Sequence, residues 1–282
     1  MNRTDTACRT ARRGAVAPGS AWALVTGAGS GIGRCYALRL AALGYNLLLA
    51  GNRQHPLEET ARAIRERTPE AGRRIVTLTT DLARLGAAEE LHDLTRREGI
   101  EIDVVINNAG IFSFCDILHT PPERIERIIL LHDVTNTQLC RLYAADMVRR
   151  GCRGHILNMS SYSLWMPFPG LSLYSASKAY LRAFSVAFAK EVREHGIRVT
   201  AVCPAGVATD LYGLTPRWQR IGLRLGVLIS ADACARRGLR GLWRGRRTVV
   251  PDWWNRIWIP LCKLLPMWVI RPLRRYTMQF QK

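Results

Sequence analysis

The sequence predicts an α/β fold: a doubly wound parallel sheet with helices on both faces, in three layers, followed by a C-terminal helical extension. Three observations carry this. From Trp22 onward, short runs that are apolar throughout alternate with longer segments of helical periodicity, the pattern of strands covered on both faces by crossover helices. The first apolar run leads directly into a glycine-rich loop and then a helix. The 282 residues, 48% hydrophobic and 22% charged, suffice for one such domain with an extension.

Taken in order, residues 23–25 read as the first strand, 35–43 as the helix that follows the loop, and 46–50 as a second buried strand. Residues 56–67 have helical periodicity with Pro56 in the first turn. Residues 74–78, 103–106, 155–158 and 197–202 supply further strands, separated by helices over 87–98, 121–150 and 173–195. After Pro204 a helical stretch to about 228, a helix near 231–243 and a short strand at 248–250 are expected. Residues 1–20 are arginine-rich without an apolar run, which reads as a disordered basic tail and not as a secretory signal. The chain therefore divides into that tail, an α/β domain over 21–250, and a Trp/Arg-rich extension over 251–282.

The loop Thr26-Gly27-Ala28-Gly29-Ser30-Gly31-Ile32-Gly33 lies between a strand and a helix. Glycines there permit positive φ and close backbone approach, and the helix start offers unpaired N–H groups and the positive end of the helix dipole. That arrangement holds a dinucleotide pyrophosphate in a Rossmann-like sheet; a tight structural turn is the plainer use of the same glycines. An acidic residue ending the second strand would bind a ribose 2′-hydroxyl and select NAD. Here the chain reads Ala50-Gly51-Asn52-Arg53. Arg53, with Arg34 just past the glycine loop, can pair with a 2′-phosphate, so NADP(H) is favoured over NAD(H). A solvated surface charge is the alternative for each arginine.

In Tyr174-Ser175-Ala176-Ser177-Lys178 a tyrosine and a lysine stand four residues apart, on one face of a helix. A phenol titrates near pH ~10, and a neighbouring ammonium lowers that value. Such a pair arises often by chance. Its weight comes from Ser161, which lies just after the fifth strand, at the sheet end where parallel sheets bind ligands. Ser161 is placed to hydrogen-bond a substrate oxygen, with Ser160 as its rival in a structural role.

Residues 26–33, Asn107-Asn108-Ala109-Gly110, Ser161 and Tyr174-x-x-x-Lys178 together resemble the short-chain dehydrogenase/reductase family, from about residue 22 to 250. Cys203-Pro204-Ala205-Gly206-Val207-Ala208-Thr209 resembles that family's Pro-Gly…Thr loop beside the nicotinamide. The resemblance implies an oxidoreductase that moves a hydride between NADP(H) and a ketone, aldehyde or alcohol carbon. Tyr174 would exchange a proton with the carbonyl oxygen, Lys178 would lower the Tyr174 pKa and bind the ribose, and Ser161 would orient the carbonyl. Gly27, Gly29, Ser30, Gly31, Ile32 and Gly33 would cradle the cofactor, with Asn52 and Arg53 at its ribose. Asp81 and Leu82 would stand by the adenine. Asn108, Ala109, Gly110, Pro204, Ala205, Gly206, Val207 and Thr209 would complete the pocket; for Asn108 a structural role at the sheet is the alternative. The family's catalytic asparagine position falls on His132, or one step on at Asp133. His132 is placed with the catalytic residues as a water-holding proton relay, a packed structural histidine being the alternative. Ala205 stands where the family often has glycine. The resemblance also implies a homodimer or homotetramer through the long helices. A catalytically quiet nucleotide-binding sensor of the same fold is the other reading.

The net charge of +19 raises nucleic acid or an anionic surface as partners. Its carriers are almost all arginine, lysine occurring only at Lys178, Lys190, Lys263 and Lys282. No zinc-finger or RNA-binding motif accompanies them, so nucleic acid is not expected. Eight scattered cysteines without a CxxC pair fit a reduced, cytoplasmic compartment, and no metal site is expected. In the extension, Trp253, Trp254, Trp258 and Trp268 with Arg271, Arg274 and Arg275 suit a membrane interface, while Arg256, Lys263 and two prolines argue against a spanning helix. Peripheral membrane contact through 253–275 and packing on the domain or on a second copy are the two readings. Leu211, Tyr212, Leu214 and Trp218 are expected to give the substrate pocket a lipophilic wall, core packing being the other use of the same residues.

Overall fold

The computed structural model describes residues 19–68, 72–165, 168–209 and 215–252. Most of the expected tail, the extension over 253–282, and Leu211, Tyr212 and Leu214 lie outside the described residues. The described elements in chain order are β1 (Trp22–Thr26), α1 (Gly31–Ala42), β2 (Asn46–Gly51), α2 (Gln54–Arg67), β3 (Ile75–Thr79), α3 (Ala87–Arg97) and β4 (Ile102–Asn107). Then come α4 (Pro122–Ile129), a π turn (Leu130–Thr135), α5 (Asn136–Arg149), β5 (His155–Met159), α6 (Ser172–Glu191), β6 (Arg198–Val202) and β7 (Gly206–Ala208). Last are α7 (Pro216–Arg224), β8 (Leu228–Ser230), α8 (Ala231–Trp243) and β9 (Thr248–Val249).

Seven strands form one sheet in the order β3-β2-β1-β4-β5-β6-β9, every pair parallel. The strands are apolar throughout because both faces are covered. Alternation along β1 and β2 sorts the two sides: Ala23, Val25, Leu47 and Leu49 enter a core with α1, α2 and α8, while Trp22, Leu24, Leu48 and Ala50 enter one with α3, α5 and α6. The strand order reverses at β1, which pairs with β2 on one side and β4 on the other. Connections leave in opposite directions there and open a crevice beyond the carboxyl ends of the strands. β1 pairs with β2 without a break from Trp22 to Thr26, while against β4 its register shifts between Trp22 and Ala23.

Three expectations change. The helix expected over 121–150 contains a π turn at Leu130–Thr135. The Asn136 side chain donates to the His132 carbonyl at 2.9 Å, satisfying an oxygen in the widened turn, and such turns commonly mark functional positions. The helix expected from Pro204 to about residue 228 is instead strand, helix and strand: β7 pairs parallel with β8 as a separate two-stranded sheet. Gly206 lets the strands approach, since a Cβ there would meet the Leu228 side chain at 2.5 Å. Helix α1 starts at Gly31, inside the glycine loop, and not at 35.

Helix α8 packs on α1 through Gly238, where a Cβ would run into the hydroxyl of fully buried Tyr36. That hydroxyl donates to the Met159 sulfur at 3.4 Å, at the end of β5. Gly238→Ala gains roughly 0.5–1 kcal/mol of helix propensity but overpacks this contact at about 1–3 kcal/mol. The expected outcome is a lower urea midpoint at unchanged slope in an equilibrium unfolding titration.

Candidate active site

The crevice is built from the way the chain leaves β1. The Thr26 hydroxyl donates to the Ile106 carbonyl at 3.3 Å and accepts the Asn108 and Ala109 amides, each at 3.0 Å. The Asn108 side-chain amide returns to the Thr26 and Gly27 carbonyls at 3.1 and 3.3 Å. The ends of β1 and β4 are thereby tied together. Asn107 ties β4 to β5 in the same way, its amide donating to Asn158 Oδ1 at 2.9 Å. Within the loop Gly27 and Gly31 have φ of +63° and +53°, values that favour glycine. A Cβ on Gly33 would run into the Gly27 carbonyl, and one on Gly29 would meet Pro56 at 2.9 Å. Helix α1 opens toward the cleft with no side-chain cap from Ser30 and no acidic residue in its first turn. Its leading N–H groups and positive dipole end are left for an anion. This cradle, which a side chain would fill, fits the pyrophosphate of a dinucleotide.

A cleft of about 430 Å³ lies above the cradle. Its walls bring together Gly27, Ser30, Gly31, Ile32, Asn52 and Arg53 at one end with Ser161, Tyr174 and Lys178 at the other. Asp81, Leu82, Asn108, Ala109, Gly110, Pro204, Val207 and Thr209 also line it. Gly29, Gly33, Ala205, Gly206 and Arg34 do not; the two glycines of the loop act through packing, and the Ala205 amide donates away to Asp252 at 3.1 Å. Asp81 accepts the Ala83 amide at 3.0 Å and pairs with Arg127 at 3.0 Å, and these two contacts hold its carboxyl below the usual range. Arg127, Ile111 and Phe112 line the cleft without having stood out in the sequence. Trp218 is exposed on α7 and is not among the lining residues.

The catalytic candidates are buried and mutually fixed. Ser160 donates to the Lys178 carbonyl at 2.7 Å, the structural role, which leaves Ser161 for chemistry. Ser161 Oγ accepts the Ser163 amide at 3.1 Å and is hydrogen-bonded to Tyr174. The Tyr174 ring meets Phe112 and His132 edge-on at 5.2 and 5.9 Å. Burial pushes its phenol up to about 12, against the pull of Ser161. Lys178, expected to lower that value, is absent from those influences. Its ammonium lies 5.7 Å from the ring centroid and donates to the Met159 carbonyl at 2.9 Å.

His132 sits on the π turn with no exposed surface. Its Nε2 accepts the Ile111 amide at 3.0 Å, so the proton of the neutral ring is assigned to Nδ1, which donates to Ser177 Oγ at 2.9 Å. Ser177 in turn donates to the Tyr174 carbonyl at 2.9 Å. Burial, with Lys178 adding to it, holds the ring far below the usual histidine range. Both ring nitrogens thus have protein partners. Gly110 is small because a Cβ would meet His132 Nε2 at 3.1 Å and Lys178 Nζ at 3.4 Å. Burial raises the Asp133 carboxyl to about 6, with Lys178 acting against that rise.

Residues 21–220 match the sequence profile described as short chain dehydrogenase. The very-long-chain 3-oxoacyl-CoA reductase of Anas platyrhynchos is 36% identical over 208 residues, 71% of this chain and 64% of that protein. The reductase of the same name from Pyrenophora tritici-repentis (strain Pt-1C-BFP) is 35% identical over 189 residues, 66% of this chain and 54% of that protein. A short-chain dehydrogenase from Sphingobium yanoikuyae in complex with NADPH superposes with a TM-score of 0.72 at 30% identity, covering 84% of this chain and 92% of that one. The chain belongs to the short-chain dehydrogenase family. Its match spans between a half and two thirds of the length of these curated reductases. Among the described residues no helix is long and apolar enough to cross a membrane, and no group of His, Cys, Asp and Glu is placed to hold a metal ion.

Burial lowers the Lys178 ammonium to about 8, with Asp133 and Cys203 pulling the other way. An unfolded lysine keeps its proton to pH ~10.4. Between these values the folded state binds fewer protons than the unfolded one, so stability rises with pH through that window. At neutral pH the charged, buried Lys178 costs stability. Lys178→Met loses one hydrogen bond, about 1 kcal/mol, and removes the larger desolvation cost. Calorimetry from pH 7 to 10 is expected to show a higher Tm at pH 7 and a flatter rise with pH than in the native protein.

Proposed function

We propose that the protein is an NADP(H)-dependent oxidoreductase that interconverts a ketone or aldehyde and an alcohol on a lipophilic substrate, with Tyr174 as proton donor and acceptor. The observation that carries this is the placement of Ser161, Tyr174 and Lys178 on the wall of the same cleft whose other end is the glycine cradle. The bound NADP(H) supplies or takes up the hydride. The chain's own residues do the rest. The α1 N-terminus and the glycine loop bind the pyrophosphate, and Arg53 with Asn52 receives the ribose and its 2′-phosphate. Asp81 is fixed by Ala83 and Arg127 at the adenine end.

Tyr174 keeps its proton through the neutral range because burial raises its pKa, so in reduction it can donate that proton to the carbonyl oxygen. Ser161, hydrogen-bonded to Tyr174, shares the same substrate oxygen and polarises the carbonyl. Lys178, freed from Met159 by a short swing, holds the ribose and favours the phenolate left after transfer. His132 acts as a positioning residue: a neutral clamp between the 110–112 loop and α6, not a relay. The reductase relatives act, by name, on very-long-chain 3-oxoacyl-CoA, and the partner in the superposed structure is NADPH; both support a lipophilic carbonyl substrate and NADP(H). A homodimer or tetramer through the long helices is supported by the row Tyr180–Phe184–Phe188 on α6, stacked at 6.2 and 5.3 Å with Tyr180 exposed.

The test is NADPH oxidation against a panel of 3-oxoacyl thioesters and bulky ketones. Tyr174→Phe is expected to lower kcat by about 10²–10⁴-fold, the usual worth of a positioned general acid, with cofactor affinity retained. Equal turnover by the variant would sink the mechanism, and cofactor binding without any turnover would favour a nucleotide-binding sensor. Arg53→Glu removes a charge-assisted contact to the 2′-phosphate and adds repulsion. It is expected to raise the KM for NADPH by at least about tenfold while leaving that for NADH within a few-fold; equal effects on both would remove Arg53 from cofactor selection.

A further inference from the structure

A second concavity of about 540 Å³ opens at the amino ends of β5, β6 and β9, the sheet end opposite Tyr174. A five-residue strand spans about 17 Å, so nothing bound in the catalytic cleft reaches it. Five arginines line it: Arg153 before β5, Arg193 after α6, Arg198 opening β6, Arg244 ending α8, and Arg247 before β9. No acidic residue is among the lining residues. Among the described residues Arg153, Arg193, Arg244 and Arg247 form no ion pair, and Glu194, next in sequence, pairs with His195 at 3.7 Å. His155 at the floor is buried and stacked edge-on to Trp243 at 4.6 Å. Burial and Arg198 hold its ring at about 3, so it stays neutral.

Helix ends account for part of this charge. Helices α6 and α8 both terminate here, and Arg198 donates to the Trp243 carbonyl in the last turn of α8. Two helix C-termini together carry only about one negative charge, against five guanidiniums. Like charges gathered around a concave site are repulsive until an anion bridges them. A guanidinium presents paired N–H donors that match phosphate oxygens two at a time. The inward curvature suits a compact polyanion and gives little purchase to a flat or rod-like one. Glycines shape the rim: Gly196 and Gly245, with φ of +76° and +67°, turn the chain beside Arg193 and Arg244.

We propose that this arginine-lined concavity is a binding site for a compact polyphosphate, of the kind carried by a nucleoside di- or triphosphate or by inorganic polyphosphate, separate from the cofactor cleft. The site is independent of the assignment of the catalytic reaction.

The experiment is a thermal-shift titration of the full chain with inorganic tripolyphosphate, with NADPH held in excess, comparing the native protein with Arg193→Ala/Arg247→Ala. The native protein is expected to show a saturable rise in Tm. In the double variant the half-saturating concentration should rise at least about tenfold, two charge-assisted contacts being lost, while NADPH oxidation is unchanged. The unliganded double variant should melt no lower than the native protein, since repulsion is relieved. ATP and inorganic polyphosphate as parallel titrants distinguish the sources of the phosphate, either one supporting the site. An equal shift in both proteins, no shift in the native protein, or binding to duplex DNA without any tripolyphosphate response would overturn the proposal.

Discussion

The hydroxyl of Thr26 is the contact on which the catalytic end of the molecule depends. One oxygen joins the last residue of β1 to the end of β4 and the two residues that follow it, through a donated bond to Ile106 and accepted bonds from Asn108 and Ala109. It does so at the point where the strand order reverses and neighbouring connections part. The tie adds to the pairing of β1 with β4, which brings Val25 opposite Ile106. With it, Asn108 can close on the Gly27 carbonyl, and Gly33 must be glycine because the loop is folded tightly against the helix it starts. The chemistry of an anion cradle is thus a by-product of a strand-end hydrogen bond and of side chains that are missing.

The second constraint is desolvation. Tyr174, Lys178 and His132 are all buried, and in each case burial is the largest influence on proton affinity. The directions are useful together: the phenol is kept protonated, the ammonium is made a weaker base than usual, and the imidazole is kept neutral. A neutral histidine next to a lysine adds no repulsion, which an imidazolium would. A histidine at position 132 is therefore tolerated electrostatically beside Lys178. Its ring reaches the Ile111 amide and Ser177 directly.

Much of this was readable from the sequence, and the reason is locality. Strands buried on both faces announce themselves as apolar runs, so β1, β2, β4 and β5 were placed to within about a residue, and the glycine loop and Tyr174/Lys178 spacing depend on near neighbours alone. The misses depend on distant partners. Strand β7 has three residues and exists because Leu228 comes to meet Gly206. The π turn needs the Asn136 side chain to satisfy His132, which no periodicity signals. Arg127 on α4 pairs with Asp81, a residue 46 positions earlier in the chain. The Ala205 amide is held by Asp252, 47 residues further along the chain.

The sheet's architecture also explains why these two sites lie where they do. Helices cover both faces, so among the described residues the loops at the two ends of the strands are open to ligands. Because the strands are parallel, those ends are electrically unlike. At the carboxyl end a helix begins, and its free N–H groups attract anions directly, as α1 does with no basic side chain in the cradle itself. At the amino end helices finish, and their carbonyls attract cations; Arg198 on the Trp243 carbonyl is the direct case. Arginine recruited there in excess of what the helix ends can neutralise reverses the sign of that end. Both ends then become anion-binding, one through backbone and one through side chains, and the two can be altered separately because no lining residue is shared between them.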